Sequence, residues 1–220
     1  GSLFSYDDPV GSYLPVPFPQ GVGGVREKRF ESILSAGFPL ASGLTIQMTG
    51  GAEHSTISQT GSGALQRRFL RPKGSLALAW QVDDGFSINL EVARRIGQLD
   101  FGDFLASLNL AQDNNSAGNN QLRPQQSWES ELEIVRDLGA WGSATLELFD
   151  HRVEDFLLWV PVTGGEARGN IASARRRGLE LTTTLQADPL GWAGARLDVQ
   201  LTAEDSSLTD PVTNDNRRFD

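Results

Sequence analysis

Few residues in this chain could do acid–base or metal chemistry. Only two histidines occur, His54 and His151, far apart in sequence. His151 stands beside Asp150 and near Glu154 and Asp155, a grouping able to bind a metal or move a proton. At a strand end running into a loop, these side chains are read as solvated instead. A second oxygen-rich run, Asp113-Asn114-Asn115 with Asn119-Asn120, offers ligand types suited to calcium. It lacks calcium-loop spacing and reads as plain loop. No Gly-x-Ser-x-Gly elbow supports nucleophilic catalysis. The glycine-rich stretch from Gly21 to Gly24 lacks the strand-to-helix context of a phosphate loop. With no cysteine, neither a disulfide nor a thiolate metal site can form. No catalytic or metal residue and no cofactor is assigned, an enzyme is not expected, and ligand-binding residues are not identified at this level.

Composition narrows the class further. The 220 residues include 24 Gly and 10 Pro, the hydrophobic share is 39%, and the formal net charge is −9. A nucleic-acid partner would need a clustered basic face and is not expected. The runs Arg67-Arg68 and Arg175-Arg176-Arg177 read as solvated loop ends. No run of about 18 apolar residues occurs, so no transmembrane helix can be drawn. That leaves strand crossings open, because a β-barrel hides its apolar surface in alternate positions. No signal peptide is visible and Gly1-Ser2 opens the chain, so the sequence reads as part of a longer gene product.

The elements that must position any functional residue show a period of two. Leu76, Leu78, Trp80 and Val82 alternate with Ser75, Ala77, Ala79 and Gln81. After the turn Asp83-Asp84-Gly85, Phe86, Ile88, Leu90 and Val92 alternate with Ser87, Asn89, Glu91 and Ala93. Three more hairpins repeat this layout. Leu34, Ala36 and Phe38 precede a turn near Ser42, followed by Leu44, Ile46 and Met48. Trp128, Leu132 and Ile134 oppose Glu129, Glu131 and Glu133, and after a turn near 139 Ala144, Leu146 and Leu148 oppose Thr145 and Glu147. Leu179, Leu181 and Leu185 oppose Glu180, Thr182 and Thr184, and after a turn near 190 Leu197, Val199 and Leu201 oppose Asp198 and Gln200. The spacing predicts an all-β antiparallel up-and-down meander of about eight strands over 28–205. Residues 1–27 and 206–220 are expected as loop. Connections at 58–73, 99–126 and 154–176 are expected as long loops on one end, opposite short turns on the other, the layout of an outer-membrane barrel. Phe38, Trp80, Phe86, Trp141 and Trp192 lie near the short turns, as an interfacial girdle would. The run from Leu14 to Pro19 has Pro at every second position and cannot be a central strand. A one-sided sheet also fits a soluble secreted β-sandwich that binds carbohydrate, and periodicity alone leaves that alternative open.

Two segments resemble the TonB-dependent outer-membrane receptor family. In the first, Asn119, Leu122, Pro124, Ser127 and Glu131 match a pattern before a late barrel strand, with Gln125 in place of the usual Glu and Glu133 where Gly is common. In the second, Asn170, Ala174, Gly178, Glu180 and Leu181 match, with Ala172 in place of a usual Gly. Between them a strand closes through Phe149 to Phe156. The resemblance implies a barrel of about 22 strands around an N-terminal plug. It also implies uptake of a scarce small-molecule ligand (siderophore-, cobalamin- or glycan-like), outer-membrane lipid around the barrel, and a periplasmic TonB-type energy transducer acting on an N-terminal region. No plug, coupling box or terminal aromatic strand is visible within 1–220. The chain is therefore expected to be an interior barrel section in a Gram-negative outer membrane, with Leu76, Leu78, Ile88, Leu90, Leu146, Leu148, Leu197 and Val199 towards lipid and Glu131, Glu147, Glu180 and Asp198 lining the lumen.

Overall fold

β-Branched and aromatic residues at alternate positions favour extended backbone, because each face of a pleated strand then packs against like neighbours. The computed structural model describes residues 3–7, 12–16, 23–61, 64–109, 114–162 and 165–219, with side chains at 23–61, 64–106, 116–162 and 165–219. The strands in chain order are β1 (Leu3–Asp7), β2 (Ser12–Val16), β3 (Gly23–Ala41), β4 (Leu44–Gly61), β5 (Leu65–Asp83), β6 (Phe86–Ile96), β7 (Ser107–Asn109), β8 (Asn114–Ser116), β9 (Gln126–Asp137), β10 (Gly142–Val162), β11 (Gly165–Gln186), β12 (Arg196–Thr209) and β13 (Asn216–Arg217). Nine of them form one antiparallel sheet in the order β13-β12-β11-β10-β9-β6-β5-β4-β3. Every neighbour in that order is also a sequence neighbour except at β6 and β9, between which the ribbon β7–β8 is inserted. Among the described residues there is no α-helix, only three short 3-10 turns. The sheet is open: β3 pairs only with β4 and β13 only with β12.

The expected meander is therefore present, and the four short turns fall where the hairpins require them. Gly43 and Gly142 hold positive φ at two of these turns. At Gly142 (φ 113°) a Cβ would lie 1.9 Å from the Thr184 carbonyl oxygen, so glycine is required there on two counts.

Two expectations need correction. The stretches 58–73 and 154–176 are not long loops. β4 and β5 pair from Leu44↔Trp80 out to Gln59↔Leu65, and β10 and β11 pair from Gly142↔Leu185 out to Val162↔Gly165. These extensions carry Ser, Arg, Glu and Gly on both faces, so hydropathy does not alternate, yet the backbone ladder continues because each strand still has a partner. The termini also carry strands where loop was expected. β1 pairs β2, β3 begins at Gly23, and β12 runs to Thr209 before pairing with β13. Pro15 sits in the two-stranded β1–β2 ribbon, outside the main sheet. Among the described residues, the connection between Ile96 and Gln126 holds one 3-10 turn and the ribbon β7–β8 and is otherwise irregular.

Register decides which residues share a face, since directly opposed residues point the same way. One row runs Phe38, Ile46, Leu78, Leu90, Leu132, Leu148, Leu179 and Ala203 across eight strands. The row beside it runs Leu44, Trp80, Ile88, Ile134, Leu146, Leu181 and Leu201. Large side chains of this face are open to their surroundings, including Trp80 at 45% and Leu201 at 56% exposure, and no second sheet covers it among the described residues. One buried cluster lies on the opposite face, where Ile57, Phe104 and Leu122 close together with Val25, Phe69, Leu99 and Leu157 packed around them. A second gathers Ile171, Ala174 and Leu208, with Phe156 and Phe219 against them.

Candidate functional site

The face opposite the apolar rows carries the chemistry. Its rows read Asn89, Glu133, Glu147, Glu180; then Glu91, Glu131, Phe149, Gly178, Glu204; then Ala93, Glu129, His151, Arg176, Ser206. Glu131, Glu147 and Glu180 thus share one face, and Asp198 joins them through its pairing with Thr184. Period-two placement of glutamates within β9 and their alignment across β10 and β11 come from strand geometry alone.

His151 is placed differently from the sequence reading. Asp150, adjacent in sequence, lies on the other face and pairs with Arg175 and Arg152. His151 instead bonds through Nε2 to Glu131 Oε1 at 3.1 Å on the neighbouring strand. Glu129, Glu131 and His151 place one ligand atom each within 4.8 Å of one another, the one such grouping among the described residues. Two carboxylates and an imidazole are a ligand set suited to a borderline divalent ion. The same atoms are already engaged. Glu129 accepts from Arg95 Nε at 2.8 Å and from Ser127 Oγ at 2.7 Å, while Glu131 takes His151. A shallow depression of about 260 Å³ lies beside them, lined by Glu131, Glu133, Glu147, Phe149, His151 and Arg176. Arg176 spans it, bidentate to Glu204 at 2.5 and 2.7 Å and 5.2 Å above the Phe149 ring. This surface has the hydrogen-bonding capacity of a wet wall. A signal for it was present in sequence as Glu129-Ser130-Glu131-Leu132-Glu133, but which His and Arg face it depended on register.

The arginine runs also need correction. Arg175, Arg176 and Arg177 are strand residues paired with Asp150, Glu204 and Asp205. Arg67 is half-buried on the polar face, and its Nη1 donates to the carbonyls of Gln121 and Leu122. Of the oxygen-rich run, Asp113 lies outside the described residues, as does Gly21 of the glycine-rich stretch.

The 97–125 connection folds onto this polar face. Leu122, fully buried, plugs between Ile57 of β4 and Leu157 of β10. Asn119 Nδ2 donates to the Arg168 carbonyl, and Gln59 Nε2 donates to the Phe104 carbonyl. Asn170 clamps the segment from β11: its Oδ1 accepts from Arg123 N at 2.8 Å and its Nδ2 donates to Arg123 O at 2.7 Å. Arg123 Nη2 meets Asp155 Oδ1 at 3.2 Å. Burial pushes the Asp103 carboxyl up from its ordinary value, and Arg168 nearby opposes that shift. The matched positions of the two sequence segments thereby acquire physical roles. Asn119, Leu122 and Asn170 tie the connection down, Glu131 bonds His151, and Gly178 leaves room for Phe149, whose ring carbon would stand 2.8 Å from a Cβ there.

Known proteins agree with this geometry. No curated protein is significantly similar to the chain in sequence. Among solved structures, the copper transporter OprC superposes with a TM-score of 0.64 at 13% identity, over 92% of this chain and 33% of that protein. The alcaligin outer-membrane receptor FauA from Bordetella pertussis superposes with a TM-score of 0.53 at 16% identity, over 84% of this chain and 31% of that protein. The chain thus spans about a third of the length of these relatives, and at such identity the likeness shows the fold alone. Residues 3–219 match the sequence family described as "TonB dependent receptor-like, beta-barrel", and the chain belongs to that family.

Proposed function

We propose that the protein containing this chain is a Gram-negative outer-membrane receptor that takes up a scarce small ligand, energised from the periplasm. The carrying observation is the division of faces: uncovered apolar rows run across eight strands while the opposite face bears carboxylates, ion pairs and a folded-in connection. A bilayer accepts the first face and a water-filled lumen the second. The short turns then lie at the periplasmic end, with Phe38, Trp80 and Phe86 near them as an interfacial girdle. The 97–125 connection and the β10–β11 extension form part of an outer vestibule, where loops carry recognition. The ligand is of the siderophore, cobalamin or glycan kind, and the named cargo of the two superposed proteins, at an identity where the fold alone carries over, does not rank these. Energy coupling belongs to a TonB-type transducer acting on the full-length receptor, whose role is transport rather than catalysis.

Growth of a strain deleted for the full-length gene tests this reading. On media where iron, copper, cobalamin or a glycan is limiting in turn, the deletion should impair growth on one of them, and the restored gene should rescue it in a transducer-dependent manner. Normal growth and uptake on all four, or a parent protein found free in the periplasm or medium, would remove the proposal.

A further inference from the structure

On the outward, apolar face of the sheet the leucine rows end on cations. At β3–β5 the row Phe30, His54, Leu70 is followed by Lys28, Thr56, Arg68 and then by Arg26, Ser58, Gln66. Phe30 and Leu70 are 70% and 73% exposed, whereas Ile57, on the opposite face of the same stretch, is buried under the folded-in connection. Arg26, Lys28 and Arg68 are exposed and take no part in the ion pairs of the described residues. Those pairs join Arg29 and Lys73 to Glu27, Glu31 and Glu53 on the polar face. At β6–β11 the corresponding row is Arg94, Trp128, Arg152, Arg175, and beside it lie Asp150, Arg177 and Asp205. Arg94 meets Glu154, Asp150 is shared by Arg152 and Arg175, and Asp205 by Arg177 and Arg218, so guanidiniums outnumber carboxylates there too.

This border crosses the strands obliquely. On β11 the first outward charge, Arg177, comes two residues past Leu179 of the leucine row. On β6 it is Arg94, four past Leu90, and on β3 and β5 it is Lys28 and Arg68, ten past Phe38 and Leu78. The slip from β11 to β3 is roughly 26 Å along the strands against roughly 29 Å across them, at about 3.3 Å per residue and 4.8 Å per strand. The slope is about 40°, the tilt of strands in a membrane barrel. The other edge of the apolar band slips the same way. β9 ends on outward-facing Arg136, level with Thr183, while Leu185 and Leu197 carry the band further on β11 and β12. Two parallel edges at the strand tilt are what a flat layer of hydrocarbon leaves on such a sheet. The cations then stand in one plane, at the headgroup depth of the leaflet remote from the short turns. Trp128, with Arg94 5.3 Å above its ring, lies in that plane as an interfacial aromatic does.

We infer that this outward border, with Lys28 and Arg68 at one side and Arg152 and Arg177 at the other, binds the phosphate groups of a phosphorylated lipid in the outer leaflet. Acyl chains lie against the Phe30–Leu70 row and phosphates meet the cations one row beyond, a pairing that a soluble anion cannot match. Lysine and guanidinium groups are natural phosphate partners, and a basic cluster beside hydrocarbon recognises anionic headgroups. The charge is complementary although the chain as a whole carries −9, because its carboxylates are concentrated on the polar face. The inference rests on the outer-membrane reading above and names the lipid that the barrel wall selects.

Equilibrium binding of bisphosphorylated lipid A to the purified full-length receptor in a neutral detergent, read by native mass spectrometry, tests it. Dephosphorylated lipid A and inorganic phosphate are the comparators. The phosphorylated lipid should bind at least tenfold more tightly than the dephosphorylated one, in a salt-sensitive way, and millimolar inorganic phosphate should not displace it. Each cation near an anionic headgroup is worth about fivefold in affinity. Lys28→Gln with Arg68→Gln should therefore weaken binding about tenfold or more, and Arg152→Gln with Arg177→Gln several-fold. Arg152 and Arg177 are 68% and 56% exposed, so the second pair stays informative if the first fails to insert. Arg136→Gln, outward at the short-turn end, should leave binding unchanged. Equal affinity for the two lipids, displacement by inorganic phosphate, or unchanged binding in both double variants overturns the inference. A change of oligomeric state in the double variants with lipid binding intact would assign the border to a second copy of the chain, which also overturns it. Failure of these titrations with a receptor that inserts and transports removes only the lipid site, whereas a parent protein found free of the membrane removes the receptor reading itself.

Discussion

Leu122 is the residue on which the folded-in connection turns. It has no solvent exposure, yet it belongs to a segment with no ladder of its own at that point. Apolar contacts with Ile57, Phe104 and Leu157 and the Asn170 clamp hold it down. Leu122→Ala leaves a cavity that the surrounding strands cannot close, so docking of the connection should weaken by about 2–5 kcal/mol. Hydrogen exchange over 97–125 should speed up strongly while the β9–β10 ladder stays protected. Equal protection in the variant would show that the hydrogen bonds alone hold the segment. Leu122 also shows how an isolated letter in a sequence pattern can mark a core position: its neighbours are Arg and Gln, so no period identifies it, and only the approach of β4 and β10 buries it.

At the scale of elements, the ladders extend well past the apolar rows, and the described turn between β12 and β13 depends on polar bonds. The turn between β12 and β13 is held by Asp210. Its carboxylate accepts from Val212 N at 2.8 Å, Thr213 N at 3.2 Å and Arg217 Nε at 2.7 Å. The backbone bond from Val212 leads, and with Arg217 it lowers the Asp210 pKa below the ordinary carboxylate value. A carboxyl with a lowered folded-state pKa stabilises above its unfolded value, and that contribution disappears as pH falls through the folded one. The 210–217 turn should therefore keep its protection at neutral pH and lose it below the usual carboxylate range. Hydrogen exchange corrected for intrinsic rate should show this, and Asp210→Ala should abolish the pH dependence. A pH response that survives in Asp210→Ala would assign it to another group. The extensions were illegible as strands because alternation records a one-sided environment, whereas backbone pairing needs only a partner.

For the whole molecule, the assignment of faces decides how the sheet meets its surroundings. Leu90 and Asn89 are neighbours on β6 with opposite faces: Leu90 pairs Leu78 and Leu132, and Asn89 Nδ2 donates to Glu133 at 2.7 Å. An arginine placed on the lipid face near mid-bilayer costs about 2–4 kcal/mol, whereas one on the lumen face is solvated. In the full-length protein, Leu90→Arg should insert and fold poorly relative to Asn89→Arg, read as the heat-modifiable band on a gel. Equal insertion would reverse or abolish the face assignment. The uncovered apolar rows also weigh against the sandwich alternative, which needs a second sheet against that face.

The sequence by itself determined the antiparallel meander, the four short turns and the two unlike faces, because each follows from side-chain period and turn chemistry within one hairpin. Leu78 and Leu90 on one face, and Glu131 and Glu147 on the other, could be read before any strand was paired. Tertiary structure alone decided which residues meet. His151 was legible only beside Asp150, yet pairing β10 with β9 turns it to Glu131 and sends Asp150 to Arg175. Arg67 and Arg71 looked like loop charges, and the β4–β5 ladder, with Leu122 closing over it, brings them onto a buried wall with Arg123. Local pattern specifies which way a side chain points along its own strand. Register and the path of a long connection specify what it faces, and those depend on partners tens of residues away.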